Sequence, residues 1–402
     1  MSKKHRKYNQ NRYRFIYFLL RGAVFVYTRL FLGYRCKDKY KIKKGESVVV
    51  LSNHQTDSDP FCILTSFNRP VHPVATESIF AGKFRAKFFS SLGVIAKKKG
   101  VSDLRTAVKI RNVVESGGSI LMFPEGNRSF CEFQFYISDD TAKLLKVLKP
   151  TIVLFNLCGG TGKAPRFKNR NRKGQFTGKI KRVLKYEEYS LMKDDELNEL
   201  IKNELRVFDS ESGLLFKSKK RAEYLERTFF VCPVCKSKEC LYSEGNFLYC
   251  RNCGTKTEYT EDMHLKNADP AFPFTKMIDY WNFQKRYLKD LAITDGETIF
   301  SDKDVKVIIS DPYRKRKVLY NGDISLDSKY LYYGKNKFDL KNIEISSVVS
   351  GRNLTFLYEG RNYVLRGGKR FNPLKYALIF NKLDTKMKEK GADLYFNLEE
   401  ND

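Results

Sequence analysis

Ser47-Val48-Val49-Val50-Leu51-Ser52-Asn53-His54-Gln55-Thr56-Asp57-Ser58-Asp59-Pro60 decides the reading of the N-terminal half. The opening run is almost wholly aliphatic and suits a strand buried on both faces. A polar turn follows, and then a helical run from Phe61, with Asp59 as its expected cap and Pro60 at the first helical position. His54 and Asp59 therefore fall in a strand-to-helix turn. On one helix they would lie about 140° apart. A turn can fold them together, so that the carboxylate holds one imidazole nitrogen while the other faces a substrate hydroxyl. That is general-base geometry. The plainer reading of Asp59 is a helix cap. His54 has a weaker structural alternative, because a histidine in a polar turn at a strand end is not a core residue.

A second stretch has the same form. Gly118-Ser119-Ile120-Leu121-Met122-Phe123 reads as a buried strand and runs into Pro124-Glu125-Gly126-Asn127-Arg128-Ser129. Ligands of open α/β sheets bind at the carboxyl ends of the strands. Gly126 lets a ligand approach the backbone closely, and Arg128 offers a permanently charged planar fork for a phosphate. Glu125 can accept hydrogen bonds from polyol hydroxyls. The plainer alternative is an ordinary polar turn.

Together the two stretches are far more specific. Asn53-His54-Gln55-Thr56-Asp57-Ser58-Asp59 matches the His-x4-Asp block of the glycerolipid acyltransferases. Phe123-Pro124-Glu125-Gly126-Asn127-Arg128-Ser129 resembles that family's Phe-Pro-Glu-Gly-Thr-Arg-Ser block, with Asn127 in place of Thr. The resemblance is closest to the 1-acyl-glycerol-3-phosphate acyltransferases and covers roughly residues 15–210. Leu92-Gly93-Val94-Ile95-Ala96-Lys97-Lys98-Lys99-Gly100 looks like the block between the two main motifs, with Lys99 where the family has Arg. Lys supplies a point charge but no bidentate fork. Pro150-Thr151-Ile152-Val153-Leu154-Phe155 stands where a fourth block would be, lacks its second proline, and contributes no site residue.

The resemblance implies an α/β acyltransferase domain, a mixed sheet flanked by helices, at residues 47–210. It implies that His54 deprotonates a free hydroxyl of a lysophosphatidate-like acceptor and that Asp59 orients it. The hydroxyl oxygen then attacks the thioester of acyl-CoA or acyl carrier protein. Glu125, Gly126, Arg128 and Lys99 would hold the glycerol and phosphate of the acceptor, with Lys97 and Lys98 beside Lys99. Positioning and proton removal can supply much of the rate enhancement, since the thioester is already activated. Phe80, Phe84, Phe88 and Phe89, interleaved with Lys83, Arg85 and Lys87, suit an acyl groove, a bilayer contact or a core stripe.

Charge points to a polyanionic neighbour. The chain of 402 residues has 75 Lys and Arg against 46 Asp and Glu, a net charge of +29. At 42 % hydrophobic and 14 % aromatic it buries real cores and is not a disordered chain. Residues 1–50 hold 14 Lys and Arg against Asp38 and Glu46 alone. Within them Phe15–Leu32 is apolar but broken by Arg21 and Arg29, too short and too charged for a clear membrane span. As a helix it places Arg14, Arg21 and Arg29 on one side. It therefore reads as an interfacial helix with its arginines at the lipid phosphates. Residues 1–46 are expected to associate with a membrane, and the protein to sit peripherally on the cytoplasmic face of the cell membrane, with an anionic phospholipid surface as partner. Lys163–Lys185 holds ten Lys or Arg and no acid. It suits the same surface or the phosphates of coenzyme A, with a solvated loop as the alternative.

The C-terminal half carries a different signal. Cys232-Pro233-Val234-Cys235 and Cys250-Arg251-Asn252-Cys253 are two CxxC knuckles with 14 residues between them. Four thiolates at this spacing suit structural zinc in a small ribbon, placed at residues 225–262. The remaining five cysteines are scattered, unlike a disulfide framework. Residues 263–294 read as a linker with an amphipathic helix around Trp281. Residues 295–392 read as short β runs, with a turn at Asn321-Gly322, closed by a helix from Pro373. This small β-sheet or barrel plus one helix resembles a pleckstrin-homology-like domain by element order alone. The competing function is a zinc-ribbon module for nucleic acid or protein on an inactive acyltransferase-like scaffold. Against it, the densest basic regions flank the N-terminal helix and the acyltransferase blocks, so no nucleic-acid partner is expected.

Overall fold

The computed structural model describes residues 10–80, 82–97, 104–132, 134–168, 170–267, 269–311, 314–349 and 351–383. Lys98 and Lys99 lie outside the described residues. The chain forms two compact units. The first is built from residues up to Asn127, Ile137–Gly160 and Gln175–Val207. The second takes Arg128–Tyr136, Thr161–Gly174 and the chain from Phe208 onward.

The first unit is a seven-stranded mixed sheet. Its strands are β1 (Tyr34–Cys36), β2 (Val48–Ser52), β3 (Val71–Thr76), β4 (Ile95–Lys97), β5 (Ser119–Met122), β6 (Thr151–Cys158) and β7 (Phe176–Leu184), in the order β1-β7-β6-β2-β5-β3-β4. β2 lies parallel between β5 and β6, with Val49 opposite both Ile120 and Ile152. All five β2 residues are buried, because a central strand has cores on both faces. Val49 and Leu51 join Ile110, Val113, Ala142, Leu145, Leu197 and Ile201 from the helices Leu104–Glu115, Asp140–Leu148 and Asp194–Leu205. Val48 and Val50 point the other way, toward Cys62 and Ile63 of the helix Asp59–Leu64 and Phe67 just beyond it. The period-two alternation thus divides one aliphatic run between two cores. As β2 and β5 are parallel, the turns after Ser52 and after Met122 emerge at the same sheet edge.

An N-terminal helix, Gln10–Val26, continues into a π-helical turn, Tyr27–Phe31. The Tyr17 hydroxyl donates to Leu64 O (2.6 Å) and Phe67 O (2.7 Å), tying the helix to the domain. Phe15, Phe18, Leu19, Leu30 and Phe31 stay exposed. Among the described residues no helix is long and apolar enough to cross a membrane.

The second unit has two sheets over one continuous core that takes in Trp281, Tyr280, Phe300 and Tyr376. β8 (Leu241–Glu244), β9 (Phe247–Cys250), β10 (Lys256–Tyr259) and β11 (Leu265–Asn267) form a four-stranded antiparallel ribbon. The helix Met277–Asp290 buries Trp281, whose ring stacks on Phe130 at 5.9 Å. β12 (Phe300–Ile309), β13 (Lys317–Leu326), β14 (Tyr330–Tyr333), β15 (Asn336–Asp339), β16 (Ile343–Val349), β17 (Asn353–Tyr358) and β18 (Arg361–Arg366) form an antiparallel sheet, ordered β15-β14-β13-β12-β18-β17-β16. The helix Pro373–Leu383 follows. The turn expected at Asn321-Gly322 is absent: both residues lie inside β13, opposite Lys306 and Val305. Gly322 has a packing reason instead, because a Cβ there would sit 2.5 Å from the Tyr320 hydroxyl.

Three members of the basic run are structural. Lys163, Arg166 and Arg172 are buried. Lys163 Nζ donates to Gly174 O (3.0 Å), and Arg166 Nη1 donates to Arg128 O (2.6 Å). Arg172 Nη1 donates to Gly162 O (3.3 Å). The many donors of each guanidinium let it bond carbonyls within irregular backbone, a role that charge counting does not distinguish from a lipid contact.

Candidate active site and metal-binding cluster

The end of β2 builds the first part of the site. Asp59 is the first residue of its helix, and Ser58 rather than Asp59 occupies the cap position. The Asp59 carboxylate is wholly buried and turns back over the preceding turn. Its Oδ2 lies 2.8 Å from His54 Nδ1 and accepts from the backbone N–H groups of Gln55 (2.6 Å) and Thr56 (2.9 Å). Its Oδ1 accepts from Thr56 Oγ1 (2.5 Å). An ionised carboxylate only accepts, so Nδ1 carries a proton and Nε2 keeps its lone pair. Nε2 has no partner among the described residues, and the His54 side chain is 20 % exposed. The cap reading of Asp59 is not met, because the cap position falls to Ser58; the carboxylate instead closes the preceding turn and faces the imidazole.

The turn after β5 supplies the second part. Glu125 is buried, and its Oε1 accepts from the His54 backbone N–H (3.2 Å). Gly126 has φ +63°, and nothing stands within 4 Å of where its Cβ would be. It therefore combines a left-handed backbone with open space in front of it. The Phe123 ring stacks on the His54 ring at 4.2 Å with 21° between planes. His54, Asp59, Glu125 and Gly126 are thus members of one unit. Arg128 belongs to the second unit, where its carbonyl is the acceptor for Arg166. Phe84 is 83 % exposed and so belongs to no core stripe, whereas Phe80 is buried.

Two more residues hold the histidine turn. The Asn53 side chain donates to Leu157 O (2.9 Å) and accepts from Leu157 N (2.8 Å). It thereby extends the β2–β6 ladder beyond Ser52 with side-chain atoms. Gln55 Oε1 accepts from Gly160 N (2.8 Å). A Cβ on Gly160 would lie 2.6 Å from that oxygen, so glycine is required there.

Residues 33–152 match the acyltransferase family model. This part of the chain is an acyltransferase-family domain. The match spans β1 to the start of β6 and so contains the whole His54–Asp59–Glu125 arrangement. Among solved structures, the 1-acyl-sn-glycerophosphate (LPA) acyltransferase PlsC from Thermotoga maritima is 18 % identical. The match covers 48 % of this chain and 78 % of that one, with a TM-score of 0.41. The N-terminal PH domain of human ARAP2 is 16 % identical over 24 % of this chain and 86 % of that one, with a TM-score of 0.19. At such scores neither likeness carries an argument about this chain. No curated protein matches the sequence. The acyltransferase domain supports acyl transfer as the general chemistry of the N-terminal unit.

In the second unit Cys232, Cys235, Cys250 and Cys253 converge, with all four Sγ atoms within 4.8 Å of one another. Cys232–Cys253 and Cys235–Cys250 are each 3.7 Å apart. A tetrahedral ion with bonds of about 2.3 Å to sulfur sets sulfurs about 3.8 Å apart, so the cluster can hold a metal ion. Asn252 Nδ2 donates to Cys235 Sγ (3.5 Å). Cys240, unassigned from sequence, lies 3.5 Å from Cys250 Sγ.

Proposed function

We propose that this protein is an O-acyltransferase that moves a fatty acyl group from an acyl thioester to a free hydroxyl of a lysophosphatidate-like acceptor. The reading rests on the buried Asp59 carboxylate facing His54 Nδ1, which leaves Nε2 as the base. Nε2 takes the proton of the acceptor hydroxyl as its oxygen attacks the thioester carbonyl carbon. The C–S bond breaks, and the thiolate leaves and recovers the proton from the imidazolium. The substrate is the nucleophile, so no acyl-enzyme forms. Phe123 and Asp59 limit ring rotation, which keeps Nε2 aimed during both proton transfers. Glu125, whose Oε1 already faces the His54 backbone N–H, and the open backbone at Gly126 are our candidates for the acceptor's glycerol. Arg128 and Lys99 are carried as phosphate ligands from the motif match alone. The donor is an acyl thioester of coenzyme A or of acyl carrier protein.

A membrane interface fits the exposed apolar side chains and arginines of Gln10–Phe31, and an anionic phospholipid surface is the partner that its charge suits. We assign the four-cysteine cluster to structural zinc: all four ligands are sulfur, which closes the site to substrate. The deciding experiment is His54→Ala assayed with lysophosphatidate and acyl-CoA or acyl carrier protein. Loss of turnover in a protein that still unfolds cooperatively, with a melt lowered by the lost Asp59 and Phe123 contacts, is expected. Turnover like that of the wild type would remove His54 from its role.

A further inference from the structure

The helix Lys83–Ser91 reads Lys-Phe-Arg-Ala-Lys-Phe-Phe-Ser-Ser and has no acid. Its inner side is anchored: Ala86 is buried, and the partly buried Phe89 ring meets the buried Phe80 ring edge-on at 6.0 Å. The outer side is the reverse of a core. Phe84 is 83 % exposed and Phe88 45 %, and Lys83, Arg85 and Lys87 are exposed around them. Residues four apart share a helix face, so the two rings stand together. A lone exposed ring is ordinary on a protein surface. Two rings on one face, ringed by three cations and rooted by a second aromatic pair, have the composition of an interfacial element.

The helix also has a suitable neighbour. Tyr13 of the N-terminal helix packs edge-on against His72 at 4.9 Å. It lies 3.0 Å from the Cβ position of Gly93, two residues past Ser91. The end of Lys83–Ser91 thus adjoins the helix that exposes Phe15, Phe18 and Leu19.

We propose that Lys83–Ser91 is a second bilayer contact: Phe84 and Phe88 enter the interface of an anionic phospholipid membrane while Lys83, Arg85 and Lys87 meet lipid phosphates. The proposal rests on the membrane-surface reading above and narrows it to named side chains. Its occupant follows from charge complementarity, since an anionic surface attracts each nearby cation about fivefold.

The test is Phe84→Trp in the full chain. The only native tryptophan, Trp281, is fully buried in the second unit and gives a constant background. Vesicles of equal phosphatidylcholine and phosphatidylglycerol should shift the F84W emission to the blue, and brominated acyl chains should quench it. Lys83→Gln/Arg85→Gln/Lys87→Gln should weaken binding to these vesicles about 100-fold, and high salt should act likewise. If F84W fails to fold, F88W repeats the reading at the second ring. Vesicle-bound protein whose added indole stays unquenched would overturn this contact and leave the membrane reading standing. No vesicle binding by the wild type would overturn both, whatever the acyl-transfer assay shows.

Discussion

Asp59→Asn removes a charge while keeping the shape of the side chain. The amide oxygen can take the place of Oδ2 and keep the bonds from His54 Nδ1, Gln55 N and Thr56 N. The new NH2 then faces Thr56 Oγ1, whose hydroxyl rotates from donor to acceptor. The Thr56 hydroxyl, which already accepts from Ser58 N, then loses the acceptor for its own proton, while the weaker neutral bonds are offset in part because no charge is buried. A stability loss of about 1–2 kcal/mol follows. Catalysis should suffer more, because the imidazolium formed on proton removal then faces a neutral amide. Exchanging a charge-assisted bond for a neutral one costs about 1–2 kcal/mol. The lost charge attraction is about 4 kcal/mol at contact distance with an effective dielectric constant near 20, an upper limit here because part of it is the bond itself. A barrier increase of about 2–4 kcal/mol lowers kcat about 30- to 1000-fold. KM for the acceptor should hardly change, since Asp59 is wholly buried. Steady-state kinetics with lysophosphatidate and acyl-CoA, alongside urea unfolding, measure both quantities. A kcat within threefold of the wild type at similar stability would reduce Asp59 to a staple of the turn and refute the orienting role.

Three further outcomes are expected. The Glu132 carboxyl is pushed up to about 7, from an ordinary 4.5, by burial and then by Asp209 beside it. Its stabilising contribution is therefore complete below pH 4.5 and is lost as pH rises through about 7. Glu132→Gln should flatten that slope in urea unfolding followed by Trp281 fluorescence; an unchanged slope would discount Glu132. Lys375 is buried between Glu239 and Asp302, and Tyr376 donates to Asp302 at 2.7 Å. Lys375→Met strands two partly buried carboxylates and should cost about 2–4 kcal/mol of the second unit's stability; a melt unchanged at pH 7 would count against the network. Cys232→Ser/Cys250→Ser should lower zinc from about one ion per chain to none by elemental analysis, and undiminished zinc would sink the assignment.

The central strands β2 and β5 of the first unit were legible because their signals are local, whereas β1, β3, β4 and β7 were not read. A run such as Val48–Leu51 is apolar on both faces only when helices cover both, and the two cores around β2 bear this out. The second unit was harder. Asn321-Gly322 has the composition of a tight turn, yet β13 runs through it, because pairing with β12 outweighs a two-residue preference. β15, Asn336–Asp339, has too weak an apolar pattern to announce itself; only Phe338 is buried in it. The basic run misled at Lys163, Arg166 and Arg172 for a related reason. Sequence counts the charge of Arg166 and Arg172, whereas their function depends on which carbonyls the chain later brings to them.

The candidate site shows the same division between what is near and what is far along the chain. His54 and Asp59 are five residues apart, so motif spacing was enough to join them. Asn53, Gln55 and Phe123 were quoted as parts of the motifs but given no task, because their partners are distant. Asn53 meets Leu157, 104 residues away, and Gln55 meets Gly160, 105 residues away. A signal was present: a polar amide just beyond a buried strand end must find a partner or carry an unsatisfied group into the core. Two such amides flank His54, on successive outward positions, and both reach the end of β6. A base held on both sides by one neighbouring strand, from below by a carboxylate and across its face by a ring has little freedom left to lose when substrate arrives. If His54 is the base as proposed, that restriction is what the parallel β2–β5–β6 arrangement contributes to the reaction.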